Sequence, residues 1–347
     1  MDIYHPVTIG NLALPGNLFL APVAGYTDRA FRSLCVDQGA DFSFTELVSA
    51  ESVIRSRPDL KVPEAPHPVN ILLRPADNEQ RYAIQLFGAD PERIGLAAAL
   101  LGPWRPAALD INAGCPVPKV VRSGAGAALM QDSANLGRVV EEAVRASEQF
   151  LGAIPVTVKL RSGWDSQSLN YADCARIAVE AGAAMVSLHP RTRAQGYGGR
   201  SDWTCIADLA SRLSVPVTGS GDLAAAEEAR RMLRETGCAA VMFARGALGN
   251  PFIFAETRAL LLAQPYRPPG PGERLAAALR HLERLAADLG ERRACVEMRK
   301  HFCAYTKACK LGRAGIAGGA ALRNSLVHAE TMEDYRRILE EAGLLFE

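Results

Sequence analysis

Short apolar runs alternate with amphipathic stretches along most of this chain. Eight runs of four or five residues fall at 18–22, 42–45, 83–87, 109–112, 156–160, 185–189, 215–219 and 240–243. Runs of that length, rich in Val, Ile, Leu and Phe, read as buried strands. Between them, 136–150, 171–181 and 224–236 repeat apolar residues at helical spacing, each about the length of one helix. Eight strand–helix alternations in about 250 residues predict an α/β fold, a (β/α)8 TIM barrel. A doubly wound sheet is the alternative. It is disfavoured because no G-x-G-x-x-G follows the first strand and the Gly-rich turn comes late, at Gly219-Ser220-Gly221.

The pattern changes after Phe252-Ile253-Phe254. Residues 264–272 hold four Pro and two Gly, a composition that propagates neither helix nor ladder, and they read as a linker. Beyond it, 273–290, 292–311, 320–328 and 332–342 have helical periodicity and no strand-like run. The predicted organisation is a barrel domain at 1–263, a Pro/Gly-rich linker at 264–272 and a small C-terminal all-helical domain at 273–347.

At 347 residues and 48% hydrophobic, the chain can bury a large core. Its net charge of +1 argues against a globally basic nucleic-acid binder. The charge is nevertheless uneven. Between Arg292 and Arg323 eight Lys or Arg (292, 293, 299, 300, 307, 310, 313 and 323) stand against one acid, Glu297, a local net of +7. At helical spacing Arg292, Arg299, Lys300, Lys307 and Lys310 can share a face that tracks phosphates, with Phe302 or Tyr305 beside it. The bland reading is a solvated helix surface, but such surfaces usually mix signs, which favours binding of RNA. Eight Cys without C-x-x-C pairs or His at zinc spacing predict reduced thiols and no metal site. The N-terminal residues lack the cationic start and apolar core of a leader, and no run reaches the roughly 18 apolar residues of a membrane span. A soluble, cytoplasmic and monomeric protein with no membrane partner is expected.

The candidate chemistry collects where the apolar runs end. Gln85, Asn112, Cys115, Lys159, His189, the Gly219-Ser220-Gly221 turn and Arg245 all fall at or just past the C-terminal ends of their strands, which in a TIM barrel converge on one mouth. Cys115 sits between Gly114 and Pro116 on a loop stiffened for ligand contact. A lone Cys is more often ordinary core, and a lone His more often structural. Lys159, between Val158 and Leu160 on a buried strand, needs an anionic or polar partner, because an unpaired interior ammonium is expensive. The bland alternative is a lysine snorkelling at the strand end. Co-location of the three in one mouth weakens each bland reading. The turns after the seventh and eighth strands, Gly219 to Asp222 and Ala244-Arg245-Gly246, offer backbone N–H groups, a helix N-terminus and a guanidinium, which suits a cofactor phosphate.

With these residues assembled, the chain resembles the tRNA-dihydrouridine synthases, most closely the bacterial B-type branch, from about Pro6 onward. The matching blocks, in family order, include Leu20-Ala21-Pro22-Val23-Ala24-Gly25-Tyr26-Thr27-Asp28, Gln85-Leu86-Phe87-Gly88, and Asn112 to Pro116 with Gly126-Ala127-Ala128-Leu129. Val158 to Trp164, His189-Pro190-Arg191-Thr192-Arg193 with Tyr197, and Met298-Arg299-Lys300-His301 follow. The resemblance implies an FMN enzyme that uses NADPH to reduce the C5–C6 double bond of particular uridines in tRNA. By the same resemblance Ala21, Pro22 and Val23 lie against the isoalloxazine, and Gln85, Lys159 and His189 contact its polar edge or the uracil. Ser220, Gly221, Asp222, Ala244 and Arg245 would hold the phosphate. Cys115 is the implied proton donor, Asn112 and Arg161 orient the base, and Arg191 contacts the RNA; Arg299, Lys300 and Lys307 are expected to contact it on the charge of the tail alone. A thiol suits the acid role, since its ordinary pKa of about 8.5 keeps it mostly protonated at neutral pH.

Three positions depart from the family pattern: Val23 stands where Met is usual, Pro190 where Gly is common, and Ser220 where Asn usually precedes the turn glycine. None removes a reactive group, and Ser220 retains a donor for the phosphate. Two rival functions stay open at this point. A flavin-dependent dehydrogenase of free pyrimidines, dihydroorotate dehydrogenase-like, would have no need of the basic tail. A catalytically silent RNA-binding protein would have no need of Cys115, Lys159 and His189 together.

Overall fold

In a computed structural model, which describes residues 3–56, 67–307 and 319–344, the chain forms a closed barrel followed by a helical tail. A short antiparallel hairpin comes first, β1 (Val7–Ile9) with β2 (Leu12–Leu14). Then follow β3 (Leu18–Leu20), β4 (Phe42–Phe44), a two-residue β5 (Val48–Ser49), β6 (Tyr82–Phe87) and β7 (Ala108–Ala113). The last strands are β8 (Val156–Arg161), β9 (Met185–His189), β10 (Val217–Ser220) and β11 (Ala240–Phe243). Strands β3, β4 and β6 to β11 pair in parallel, and β4 with β6 and β11 with β3 close the ring. All eight predicted strands are present. β10 starts at Val217 rather than 215.

Why these runs become barrel strands follows from their two buried faces. Leu109, Ile111 and Ala113 of β7, and Val158 and Leu160 of β8, pack outward into the large cluster shared with the surrounding helices. The alternate residues point inward. At the barrel floor these are apolar: Phe19, Phe42, Ala83, Ala108, Met185, Ala240 and Met242 form one cluster with Val7, Ile9 and Leu14 of the hairpin. The hairpin is therefore a plug. It escaped the periodicity reading because three-residue strands carry too little pattern. Its signal is Gly10-Asn11 between apolar alternations, with Gly10 at φ +57°.

The helices around the barrel are α1 (Arg29–Asp37), α2 (Ala50–Arg55), α3 (Pro68–Leu73), α4 (Pro91–Ala99), α5 (Pro118–Val121) and α6 (Ser133–Phe150), then α7 (Tyr171–Glu180), α8 (Thr204–Arg212), α9 (Ala226–Thr236) and α10 (Ile253–Leu261). The tail holds α11 (Pro271–Leu289), α12 (Glu291–Thr306), α13 (Gly319–Leu326) and α14 (Met332–Glu341). The stretch expected as linker shortens at its end, because α11 begins on Pro271 with Gly270 as its N-cap. Proline is tolerated in a first helical turn, where its missing N–H has no intrahelical partner anyway. The carboxylate of Glu273 accepts from Gly270 N at 2.8 Å, closing the start of the helix. Leu275, Leu282, Met298, Phe302, Tyr335 and Leu339 build a separate tail core, which Ala30 of α1 joins from the barrel side. Cys309, Lys310 and Arg313, part of the expected basic segment, lie outside the described residues.

Candidate active site

The inward positions change from apolar to polar towards the C-terminal ends of the strands. Register sets Gln85 beside Asp110, Asn112 beside Lys159, and Arg161 beside His189 on neighbouring strands. Three of these side chains are then tied in a chain. Gln85 Nε2 donates to Asp110 Oδ2 at 2.6 Å, and Asn112 Nδ2 donates to Gln85 Oε1 at 2.8 Å. Asn112 Oδ1 accepts from Cys115 N at 2.9 Å and Gly114 N at 3.2 Å. Thr157 Oγ1 donates to the other oxygen of Asp110. A buried strand carboxylate thus fixes both amides and, through them, the turn that carries the thiol. Burial pushes the Asp110 carboxyl up to about 6 against the pull of its Gln85 and Thr157 donors. The sequence reading passed over Asp110 inside an apolar run.

The thiol loop has a second brace. Ala127 N donates to Cys115 O at 3.0 Å, and Gly126, at φ +61°, leaves no room for a side chain: a Cβ there would sit 2.7 Å from that oxygen. Cys115 is half-buried. Burial raises its thiol above the ordinary value, with a backbone hydrogen bond at Val117, Arg161 and Lys159 pulling the other way. It is protonated at neutral pH. Burial, then the neighbouring Arg161 charge, brings Lys159 down to about 8, against the attraction of Asp110. No hydrogen-bond acceptor among the described residues reaches its ammonium. His189 is held neutral, at about 2, by burial and then by Lys159, Arg161, Arg191 and Arg245.

Two arginines brace the loops of the mouth. Arg161 is buried and spends its donors on loop carbonyls: Nε on Gly114 at 2.9 Å, Nη1 on Thr192 at 2.8 Å and Gly196 at 2.9 Å. It ties the Cys115 loop to the loop after β9, and its Nη2 has no acceptor among the described residues. Arg191, 1% exposed, is no solvated surface residue. Its Nη2 reaches both oxygens of Asp222 at 2.7 and 2.8 Å and the Gly199 carbonyl at 2.8 Å, Nε donates to Gly198 O at 3.0 Å, and Nη1 lies 3.3 Å from His189 Nε2. Tyr197 is 57% exposed at the mouth, with the Arg245 guanidinium 4.8 Å and that of Arg161 5.7 Å from its ring centroid.

At the turns after β10 and β11, expected to seat a phosphate, two donors are otherwise engaged. Ser220 Oγ donates to Met242 O at 3.1 Å, so the hydroxyl faces the sheet rather than the mouth. The N–H groups of Ala224 and Ala225, ahead of α9, are taken by the Glu228 carboxylate. Asp222, at φ +56°, is itself an anion. Burial raises its carboxyl, but Ser201 N–H and Arg191 outweigh that and hold it below the ordinary value. It organises Arg191 and, at 3.7 Å, Arg245, leaving Arg245 half-exposed. The N–H groups of Arg245 and Gly246 have no acceptor among the described residues. Glycine is required at 221 and 246, where a Cβ would lie 2.1 Å from Ser201 Oγ and from Leu223 O. On the adjoining strand end, that of β3, Ala21 N donates to Phe243 O at 2.7 Å, and Pro22 and Val23 lie half-exposed beside Ala244.

The tail residues separate. Lys300 reaches the mouth side, pairing with Glu297 at 2.6 Å and lying 5.4 Å from the centroid of Tyr26. Arg299 turns to Ala329 O at 3.4 Å, while Lys307, Arg292 and Arg293 are exposed. Phe302 and Tyr305 do not flank a phosphate track. Both are fully buried, and Phe302 stacks on Tyr335 with centroids 4.5 Å apart. Among the described residues no helix is long and apolar enough to cross a membrane.

Comparison with known proteins bears on this geometry. The family described as Dihydrouridine synthase (Dus) matches residues 19–344. A probable tRNA-dihydrouridine synthase of Treponema pallidum is 46% identical over 98% of this chain and 97% of its own length. The tRNA-dihydrouridine synthase B of Pseudomonas aeruginosa is 34% identical over 86% of each. Among solved structures, an old yellow enzyme homologue from Zymomonas mobilis superposes with a TM-score of 0.53 at 12% identity, covering 77% of this chain and 94% of that one. Histamine dehydrogenase from Rhizobium sp. 4-9 gives 0.55 at 13%, covering 81% and 51%. At such identities the likeness speaks for the barrel alone.

Proposed function

This chain belongs to the dihydrouridine synthase family, and we propose that it reduces the C5–C6 bond of uridines in tRNA, with FMN as resident cofactor and NADPH as reductant, in the cytoplasm. The observation that carries the reading is the convergence of a protonated thiol, a half-buried ammonium without a bonded acceptor and a neutral imidazole at one barrel mouth. The residues fit FMN. Lys159, the N–H of Arg245 and the N–H of Gly246 have no bonded acceptor among the described residues, and the half-exposed Arg245 guanidinium can meet a phosphate. Bound FMN, once reduced, supplies the hydride that adds to uracil C6.

Everything else falls to the chain. Lys159 holds the negative edge of the cofactor, with Ala21, Pro22, Val23 and Ala244 as its apolar floor. Cys115 gives its proton to C5 as charge develops there, which requires that the thiol be the stored form at neutral pH. Neutral His189 can donate or accept at the uracil edge without placing a second cation beside Lys159. Asp110, Gln85 and Asn112 keep the thiol turn in one position, so little reorganisation accompanies proton transfer. Tyr197 offers a face on which a base extruded from its stack can lie.

The test is direct. Purified protein should be yellow and release FMN on denaturation, and with NADPH it should convert uridine to dihydrouridine in tRNA from a strain lacking this protein, read by mass spectrometry. A colourless protein that cannot be reconstituted with FMN would sink the reading.

A further inference from the structure

Between the barrel and the tail lies a buried cluster that the chemistry of the mouth does not use. Asp28, the N-cap of α1, faces His281 of α11 and His301 of α12. Its Oδ1 lies 3.3 Å from His281 Nε2 and its Oδ2 3.5 Å from His301 Nε2, and the two ring centroids are 4.4 Å apart. A charge-assisted hydrogen bond would close to about 2.7–2.9 Å. The separations here, with His281 Nε2 also 3.4 Å from Asp28 Oδ2, are those of long hydrogen bonds and equally of atoms sharing a metal: ligands about 2.0–2.1 Å from a tetrahedral zinc stand roughly 3.3 Å from one another.

A second observation is independent of those distances. Both imidazoles are fully buried, yet neither ring nitrogen of His301, nor Nδ1 of His281, has a hydrogen-bond partner among the described residues. The Tyr305 hydroxyl is equally unpartnered, with its ring centroid 6.3 Å from that of His281. Native interiors rarely leave such groups unsatisfied. We propose that Asp28, His281 and His301 bind one divalent transition-metal ion, and that it pins the helical tail to the loop rimming the barrel mouth. Two imidazoles and one carboxylate are a zinc-type donor set; magnesium and calcium favour oxygen alone. A water, or the Tyr305 hydroxyl, would complete the tetrahedron. Asp28 and His281 are 253 residues apart, so no local spacing motif could have announced the site.

The placement gives the ion a task. Asp28 closes the segment that runs from Pro22 through Tyr26, and His301 adjoins Lys300, whose ammonium lies over Tyr26. The ion would therefore set where the basic helix α12 stands relative to the mouth, whatever substrate the mouth takes. The outer nitrogens lack the carboxylate partners that usually fix metal-bound imidazoles, so the ion should be removable by chelator.

Full-length protein stripped by chelator and titrated with zinc or cobalt(II) tests this. One equivalent should bind, by elemental analysis, with the visible absorption of tetrahedral cobalt, and Tm should rise by several degrees. His301→Gln and Asp28→Asn should each weaken binding tenfold or more, while a change at exposed His328 leaves it alone. Folded wild-type protein that takes up no stoichiometric metal, or uptake untouched by both substitutions, overturns the proposal and leaves a hydrogen-bonded clasp. The wild-type titration stands even if a variant fails to fold.

Discussion

The mouth and the tail hold positive charge in opposite ways. Lys159 is half-buried, brought down to about 8 and left without a bonded acceptor, its position enforced by a closed ring of strands. Lys300 is half-exposed and already neutralised by Glu297, and Arg292, Arg293 and Lys307 are solvated. The first arrangement is costly to build and pays only when a specific anion arrives. The second costs little, reaches over a Debye length of about 8 Å, and is indifferent to where along a polyanion it acts. Substitutions at the mouth should therefore change chemistry abruptly, and those on the tail should change affinity by degrees.

Cys115→Ala offers the sharpest test of that contrast. It should leave FMN bound and reducible by NADPH, because neither step needs a proton at uracil C5. Reoxidation by tRNA should slow by about 10²- to 10⁴-fold in stopped flow, the usual contribution of a general acid. A change of only a few-fold would remove the thiol from its assigned role. Lys159→Met comes next. Losing one charge-assisted contact of about 1.5–3 kcal/mol should weaken FMN binding by about 10- to 100-fold in an equilibrium titration. An unaltered affinity would mean the ammonium faces something other than the flavin.

The two regions were also unequally legible. All eight barrel strands could be read because each is a short, doubly buried apolar run, and their ends located Cys115, Lys159 and His189 without knowledge of any contact. Asp110 carried the same signal as Lys159, an ionisable residue inside a buried strand, yet it was absorbed into its run. In the tail a helical wheel gives faces without saying which face turns inward. Cys295, Met298, Phe302 and Tyr305 form a helically spaced stripe, and that stripe was the clue that Phe302 and Tyr305 belong to the core. Roles of Arg161 and Arg191 could not be read at all, since their partners are carbonyls and a carboxylate on loops whose paths periodicity does not encode.

For the tail, the exposed triple change Arg292→Glu, Arg293→Glu and Lys307→Glu should weaken tRNA binding by about tenfold and lower the log–log salt slope by roughly 0.7–0.9 per lost phosphate contact. NADPH oxidation with an artificial acceptor should be unchanged. Wild-type affinity and slope would place the RNA grip elsewhere. At the mouth, pH gives a smaller effect of definite sign. Lys159 in the folded protein loses its proton near pH 8, whereas an ordinary lysine keeps it to 10.5, so its contribution to stability rises with pH through that window. Flavin affinity moves the other way, because the anion needs the charged form. From pH 7 to 8.5 the FMN dissociation constant should rise about fourfold, and in Lys159→Met this dependence should vanish.

The smallest effect belongs to Ser220, where the sequence and the structure disagree about a single hydroxyl. From the sequence it could donate to the phosphate; in the fold it donates to Met242 O across the β10–β11 pair, on the sheet side of the turn. Ser220→Ala removes one such bond, worth about 0.5–1.5 kcal/mol of stability, and should lower Tm slightly. FMN affinity should stay within about twofold, since the phosphate would be met by Arg245 and the backbone N–H groups of the Gly246 turn. A tenfold loss of FMN affinity with an unchanged Tm would reverse the assignment and turn the Ser220 hydroxyl back toward the mouth.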